Sequence, residues 1–248
     1  MPFPTEKDLL MAVCHFGHAK SKWNPKMSPY IYGVRKGIHI FDLMQTHEKL
    51  KEVCAALKEL HDAGKVILFA STKQQSITSV ESLGKRLNQP IVTSKWMPGL
   101  LTNWNTIKKR LQYYKDLQES FRTGEIAKYT KKEQTMLRKK LTKLDTALSG
   151  VAHMTSVPDA LFVVDAVHNH VAVCEALTLK IPVYGICDSN ANPDEFTNFV
   201  PANDDAVKSI ELILKTIEEE LLMGKGKESQ QIDEQKVPTE ATEEMVGF

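Results

Sequence analysis

The chain has 248 residues, 42% of them hydrophobic, with 32 basic and 31 acidic side chains, an ordinary balance for a soluble globular protein of one domain plus an appendage. No apolar run approaches the roughly 20 residues that span a bilayer, and the start Met1-Pro2-Phe3-Pro4-Thr5-Glu6 has neither a charged n-region nor an apolar stretch, so no membrane anchor, signal peptide or transit peptide is expected. Four scattered cysteines, Cys14, Cys54, Cys174 and Cys187, without a CxxC, read as reduced cytoplasmic thiols.

Residues 5–12 read as a short helix, with Thr5 capping it and Asp8 three residues on. Residues 13–37, rich in His, Gly, Pro, Lys and aromatics, read as irregular, and Ile38–Phe41 as a strand. Thr46 is the expected cap of a helix over 47–63, which Gly64 ends. Val66–Ala70 is a continuous apolar run, as in a strand buried on both faces. A helix fits 73–88, and Pro90-Ile91-Val92 begins a short strand.

Residues 102–149 carry no strand-like run. Trp104, Ile107, Leu111, Tyr114, Leu117 and Phe121 recur at spacings of three or four, and Gly124 interrupts. Thr130-Lys131-Lys132-Glu133 fits a capping box. Leu137, Leu141, Leu144, Leu148 and Val151 follow a four-three seam. This pattern predicts an antiparallel coiled-coil hairpin. Strand–helix alternation then resumes: a strand over 160–164 ending at Asp165, a helix over 169–180, a strand over 182–187 ending at Asp188, and a helix over 204–222 capped by Asn203. The alternation predicts a parallel sheet covered on both faces. The expected organisation is a discontinuous α/β core (1–101 and 150–223), an inserted basic helical hairpin (102–149) and an acidic, disordered tail (224–248).

The near-zero net charge conceals a strong asymmetry. Residues 1–41 carry +4, 42–99 carry +2, 100–150 carry +7, 151–224 carry −9 and 225–248 carry −3. Twelve cations face only five acids in residues 100–150, and none of the twelve occupies the leucine seam. A rod of this kind suits a polyanion. In Lys20–Lys36 the aromatics Trp23, Tyr30 and Tyr32 alternate with cations. Such rings either stack on unpaired bases or anchor the loop to the core. The helix start at Ser71-Thr72-Lys73 suits a phosphate, although ordinary capping explains the hydroxyls equally well. No GxxxxGK[ST], GxGxxG or nucleophile elbow is present, which disfavours a nucleotide cofactor and leaves catalysis unsupported.

Candidate phosphate contacts are therefore Lys22, Lys26, Arg35, Lys36, Lys73, Lys108, Lys109, Arg110, Lys131, Lys132, Arg138 and Lys139, with Trp23 and Tyr30 as stacking groups. The strand-end acids Asp165 and Asp188, with Asp204 and Asp205, would line the ligand crevice of a doubly wound sheet. With His15 and His18 brought near, His15, His18, Asp188, Asp204 and Asp205 form a candidate set for a structural magnesium, or zinc if the imidazoles join. Capping and helix-dipole roles for Asn203, Asp204 and Asp205 are the alternative. No cofactor is required by any of these features.

Several stretches together are specific. Cys14-His15-Phe16-Gly17-His18, Trp23-Asn24-Pro25-Lys26-Met27, Pro29-Tyr30-Ile31-Tyr32-Gly33, Gly37–Leu43, Thr72-Lys73-Gln74, Leu101-Thr102-Asn103, Pro158–Val163, Asp188-Ser189-Asn190 and Pro201–Ala206 run in order along the chain. They resemble the bacterial-type family of small-subunit ribosomal protein two. The resemblance implies a flavodoxin-like, doubly wound parallel sheet with an inserted antiparallel coiled-coil hairpin. It also implies no enzymatic activity, and a place in the cytoplasmic ribosome as a single copy rather than a homo-oligomer. Implied partners are small-subunit rRNA, neighbouring ribosomal proteins and the OB-repeat ribosomal protein one. The early basic loop, the hairpin and the Lys95–Asn105 turn would face RNA. In that turn the chain reads Lys95-Trp96-Met97-Pro98-Gly99-Leu100 where the family usually has Arg-Trp-Leu-Gly-Gly-Thr, so a bidentate arginine is absent and Pro98 fixes φ. Rival readings are a doubly wound enzyme taking a phosphorylated metabolite at Asp165/Asp188, and a non-ribosomal coiled-coil interaction protein.

Overall fold

Thr5 opens the first helix, α1 (Glu6–Met11). Its backbone N–H donates to Asp8 Oδ2 at 2.8 Å, and its hydroxyl accepts from the Asp8 N–H, completing a capping box. The computed structural model describes residues 3–233, with side chains described as far as residue 223.

The stretch expected to be irregular instead contributes to a small antiparallel sheet. Strands β1 (Phe16–Ala19) and β2 (Ile31–Arg35) flank β3 (Ile38–Phe41) in the order β1-β3-β2. Two features concealed β2 in the sequence. The register shifts between Ile31 and Gly33, which breaks the alternation, and the β2–β3 turn is Lys36-Gly37, both at positive φ (52° and 79°). A two-residue hairpin turn demands that conformation, and Lys36 is not a residue that advertises it.

Helix α2 (Leu43–Asp62) begins four residues before the one expected, because Asp42 accepts from the Met44 N–H and serves as the cap in place of Thr46. Thr46 lies inside the helix, fully buried, and its hydroxyl donates to the Pro201 carbonyl at 2.7 Å.

The central sheet holds β4 (Ile67–Ala70), β5 (Ile91–Val92), β6 (Ala160–Val164), β7 (Val183–Cys187) and β8 (Asn198–Pro201), all parallel, in the order β5-β4-β6-β7-β8. Successive residues of a strand point to opposite faces, and the cores divide accordingly. Leu68, Ala70, Leu161 and Val163 join one apolar cluster, whereas Ile67, Phe69, Phe162 and Val164 join the other. The second cluster is closed by Leu50, Val53 and Leu57 of α2, Val80 and Leu83 of α3 (Ile77–Leu87), and Ile210, Ile213 and Ile217 of α7 (Val207–Asp233). The first is closed by Ala172, Val173 and Ala176 of α6 (His170–Thr178) and by the two helices between β5 and β6. Burial on both faces explains why the central strands read as unbroken apolar runs.

Those two helices are α4 (Trp104–Arg122) and α5 (Lys131–Leu148), joined through Gly124 at φ 78° and a 3-10 turn over Glu125–Lys128. The capping box at Thr130 and Glu133 forms as expected. Tyr114 Oη donates to Asp145 across the pair, and Lys140 Nζ lies 4.5 Å from the Tyr113 ring centroid. Ile107, Leu111, Tyr114 and Leu117 are buried, and Leu141 and Leu144 pack half-buried against the same core. The pair rejoins the core at Gly150, where a Cβ would stand 2.3 Å from the Ile91 carbonyl oxygen. Only glycine allows that approach.

Three further boundaries differ from expectation: α3 begins at Ile77, four residues after the start expected at Lys73. Asn203 Oδ1 accepts from the N–H groups of Asp205 and Ala206, so 203–206 form a turn and α7 begins at Val207. The backbone of α7 continues through 224–233, where a tail was expected, and residues 234–248 lie outside the described residues. No described helix is long and apolar enough to cross a membrane.

Candidate nucleic-acid interface and carboxylate crevice

Every one of the twelve cations on α4, α5 and their connection is exposed. Lys108, Lys115 and Arg122 recur at seven-residue spacing along α4, and Lys132, Lys139 and Lys143 at seven and four along α5, so each set forms a stripe. Arg122 pairs with Glu119, and Lys140 leans on Tyr113. Lys108, Lys109, Arg110, Lys131, Lys132, Arg138 and Lys139 have no ion-pair partner among the described residues. A mixed-charge solvated helix would pair these groups at i,i+4, but here they are left available.

In the early segment Lys22, Arg35 and Lys36 are exposed. Lys26 Nζ pairs with Asp194, its partner also exposed. The two aromatics expected to stack on bases turn inward: Trp23 stacks on His39 with centroids 4.8 Å apart, and Tyr30 meets Phe199 edge-on at 5.0 Å. They anchor the segment, with Met27 fully buried beneath. Tyr32, not among the two rings favoured for stacking from the sequence, is 82% exposed.

Lys73 departs most from expectation. It is only 14% exposed and contacts Asp165 at 2.9 Å, Asp204 at 2.8 Å and Asp205 at 2.6 Å. Its ammonium is occupied by carboxylates at the strand ends, as Ser71 is by Ser76 and Thr72 by Asn169; residues 71–73 precede α3 rather than open it, so they present no helix-start phosphate cradle.

The crevice gathers around it. His18 Nδ1 lies 3.0 Å from Asp188 Oδ2 and its Nε2 lies 3.7 Å from Asp205. His18, Asp188, Asp204 and Asp205 each bring one ligand atom within 4.8 Å of the others; His15 does not join them, its ring packing instead on Phe16. The hydrogen bond to Asp188 raises the His18 pKa against an opposing burial effect. Burial, with the charges of Asp165 and Asp188, pushes Asp204 up to about 7 despite Lys73. A carboxylate with a pKa higher folded than unfolded stabilises the fold when protonated; its contribution is complete below about pH 4 and is lost as pH climbs through about 7. Lys73→Met is therefore expected to cost about 3–5 kcal/mol near pH 8, because it leaves buried acids without their counter-charge, and distinctly less near pH 5. Urea unfolding at both pH values measures this; an equal loss at both would contradict the clamp.

The Lys95–Asn105 turn is held by a residue that sequence reasoning did not single out. Glu175, on α6, is buried and accepts from Trp96 Nε1 (3.0 Å) and from the N–H groups of Gly99 (2.8 Å), Leu101 (2.9 Å) and Thr102 (3.1 Å). Burial favours its protonated form, but the donors outweigh it and hold the carboxyl below the ordinary glutamate range.

Comparison with known proteins places this geometry in context. Residues 9–224 match the family described as Ribosomal protein S2. Curated relatives named small ribosomal subunit protein uS2 include one from Nitratiruptor sp., 42% identical over 97% of this chain and 91% of that protein, and one from Helicobacter hepaticus, 42% identical over 93% and 88%. A third, from Wolinella succinogenes, is 40% identical over 96% and 89%. With the match spanning the sheet, the crevice and the helical pair alike, the chain belongs to the ribosomal protein S2 family.

Proposed function

We propose that this chain is a non-enzymatic structural constituent of the small ribosomal subunit, acting in translation in the cytoplasm as a single copy bound to small-subunit rRNA and neighbouring ribosomal proteins. The observation that carries the RNA contact is the set of unpaired, exposed cations on α4 and α5. Phosphates neutralised there release counterions. Each helix of the pair extends roughly 28 Å at the usual rise, and the leucine seam supports reading it as an antiparallel coiled-coil insertion. Counted within the sheet, the strand order 2-1-3-4-5 supports a flavodoxin-like core.

The −9 of residues 151–224 would repel RNA, so that half faces basic ribosomal proteins, with the OB-repeat ribosomal protein one as a further partner. An enzyme's phosphate crevice is a poor alternative, because Lys73 already fills it in contact with three carboxylates. Co-sedimentation with small subunits stripped of this protein tests the reading: binding should fall roughly a thousandfold between about 50 and about 200 mM salt for six or more phosphate contacts. A salt-insensitive complex would favour docking through protein contacts alone.

A second reading rests on the crevice. His18, Asp188, Asp204 and Asp205 fit a cation, and the imidazole favours zinc over magnesium. The residues would serve structurally, tying β1 to the ends of the central strands. Chelator dialysis should then lower Tm by several degrees and added zinc restore it, with His18→Ala insensitive to both. An unchanged Tm would remove the metal and leave Lys73 as the resident cation.

A further inference from the structure

We infer that Tyr32 is the base-stacking residue of this protein: its ring takes an unpaired nucleobase of small-subunit rRNA, while Arg35 and Lys36 hold the flanking phosphates. This rests on the RNA-binding reading above and names a subsite within it. Three observations converge. First, Tyr32 lies on β2, an outer strand of the antiparallel sheet, at the register shift between Ile31 and Gly33. Its ring is 82% exposed and makes no ring contact or hydrogen bond among the described residues. Second, the other two aromatics of the segment are used up, Trp23 on His39 and Tyr30 on Phe199, so they fix the strand rather than reach outward. Third, residues 15–41 contain Lys20, Lys22, Lys26, Arg35 and Lys36 and not one Asp or Glu. Among the described residues only Lys26 of these is ion-paired.

A lone tyrosine outward on a strand is commonly a matter of strand propensity. The setting here is different. A rigidly held aromatic edge, lined by unpaired cations and free of acids, supplies the two ingredients of single-strand recognition, a π-face for the base and positive charge for the backbone. The same surface would repel a basic ribosomal protein. The competing occupant, an acidic protein segment adding to the open strand edge, is separated by the test.

Small subunits lacking this protein are reconstituted with the full chain and irradiated with short-wavelength ultraviolet light. After nuclease and trypsin digestion, the peptide Met27–Arg35 should carry a nucleotide, and fragmentation should place it on Tyr32 rather than Tyr30. In titrations, Tyr32→Ala should weaken binding about tenfold without altering the salt dependence, and Tyr32→Phe should bind within about twofold of wild type. A nucleotide on Tyr30, no nucleotide on this peptide, or wild-type affinity of Tyr32→Ala each overturns the proposal. So does a photoreactive residue at position 32 that captures only protein. Failure of the underlying reading looks different: binding of the unaltered chain would then be salt-insensitive, whatever Tyr32 does.

Discussion

Glu175→Ala should lower the unfolding free energy by about 3–5 kcal/mol, an effect as large as that of Lys73→Met near pH 8. The carboxylate accepts from five groups of one turn: Trp96 Nε1, the N–H of Gly99, Leu101 and Thr102, and the Thr102 hydroxyl. Truncation strands those donors without an acceptor, Trp96 Nε1 and the Leu101 N–H within the buried interior. Glu175→Gln keeps the shape but turns an amide donor toward other donors, and should cost roughly 2 kcal/mol. Because the folded carboxyl titrates below its ordinary range, its contribution is complete above about pH 4.5 and fades as pH falls below that. Acid unfolding followed by tryptophan fluorescence should therefore be steeper in wild type than in Glu175→Gln. Matching acid profiles would show that the charge is not what holds the turn. The role also explains how the turn tolerates Pro98 beside Gly99 at φ 84°: its conformation is imposed from α6 rather than by its own sequence.

Reversing four charges on α5, at Lys131, Lys132, Lys139 and Lys140, should weaken association with small subunits at least a hundredfold at low salt. It should also flatten the dependence of log affinity on log salt by roughly three to four units, about 0.7–0.9 for each phosphate no longer neutralised. All four side chains are exposed and none lies on the leucine seam, so thermal unfolding should change little; among the described residues only Lys140 has a local partner, the Tyr113 ring. Unchanged affinity and slope in a folded variant would place the RNA contact elsewhere.

Legibility followed the kind of force involved. The elements of the central sheet were readable where burial on both faces left continuous apolar runs, as at Ile67–Ala70 and Ala160–Val164, and the helical pair where its apolar positions repeat. Asn198–Pro201 was not readable as β8: it is short, ends in proline and owes its conformation to pairing with β7. Strands β1 and β2 were concealed in the same way, by dependence on β3.

At the crevice, strand-end acids could be foreseen from the sheet's topology. Their counter-ion could not, since Lys73 stands 92 residues from Asp165 and 131 from Asp204. Glu175 had left a trace, a single acid among Val171, Ala172, Val173, Ala176 and Leu177; a charge within an apolar helix is seldom buried without partners. Composition marks the aromatic segment but does not tell which ring faces inward. That depended on His39 and Phe199, brought beneath it by the fold.

The proposed function requires the cationic arm formed by α4 and α5 to contact RNA. A density map of assembled small subunits containing this chain tests it most directly. In that map rRNA phosphates should lie within ion-pairing distance of several of Lys108, Lys109, Arg110, Lys131, Lys132, Arg138 and Lys139. An ordered arm projecting into solvent, with those side chains meeting no nucleic acid, would contradict it.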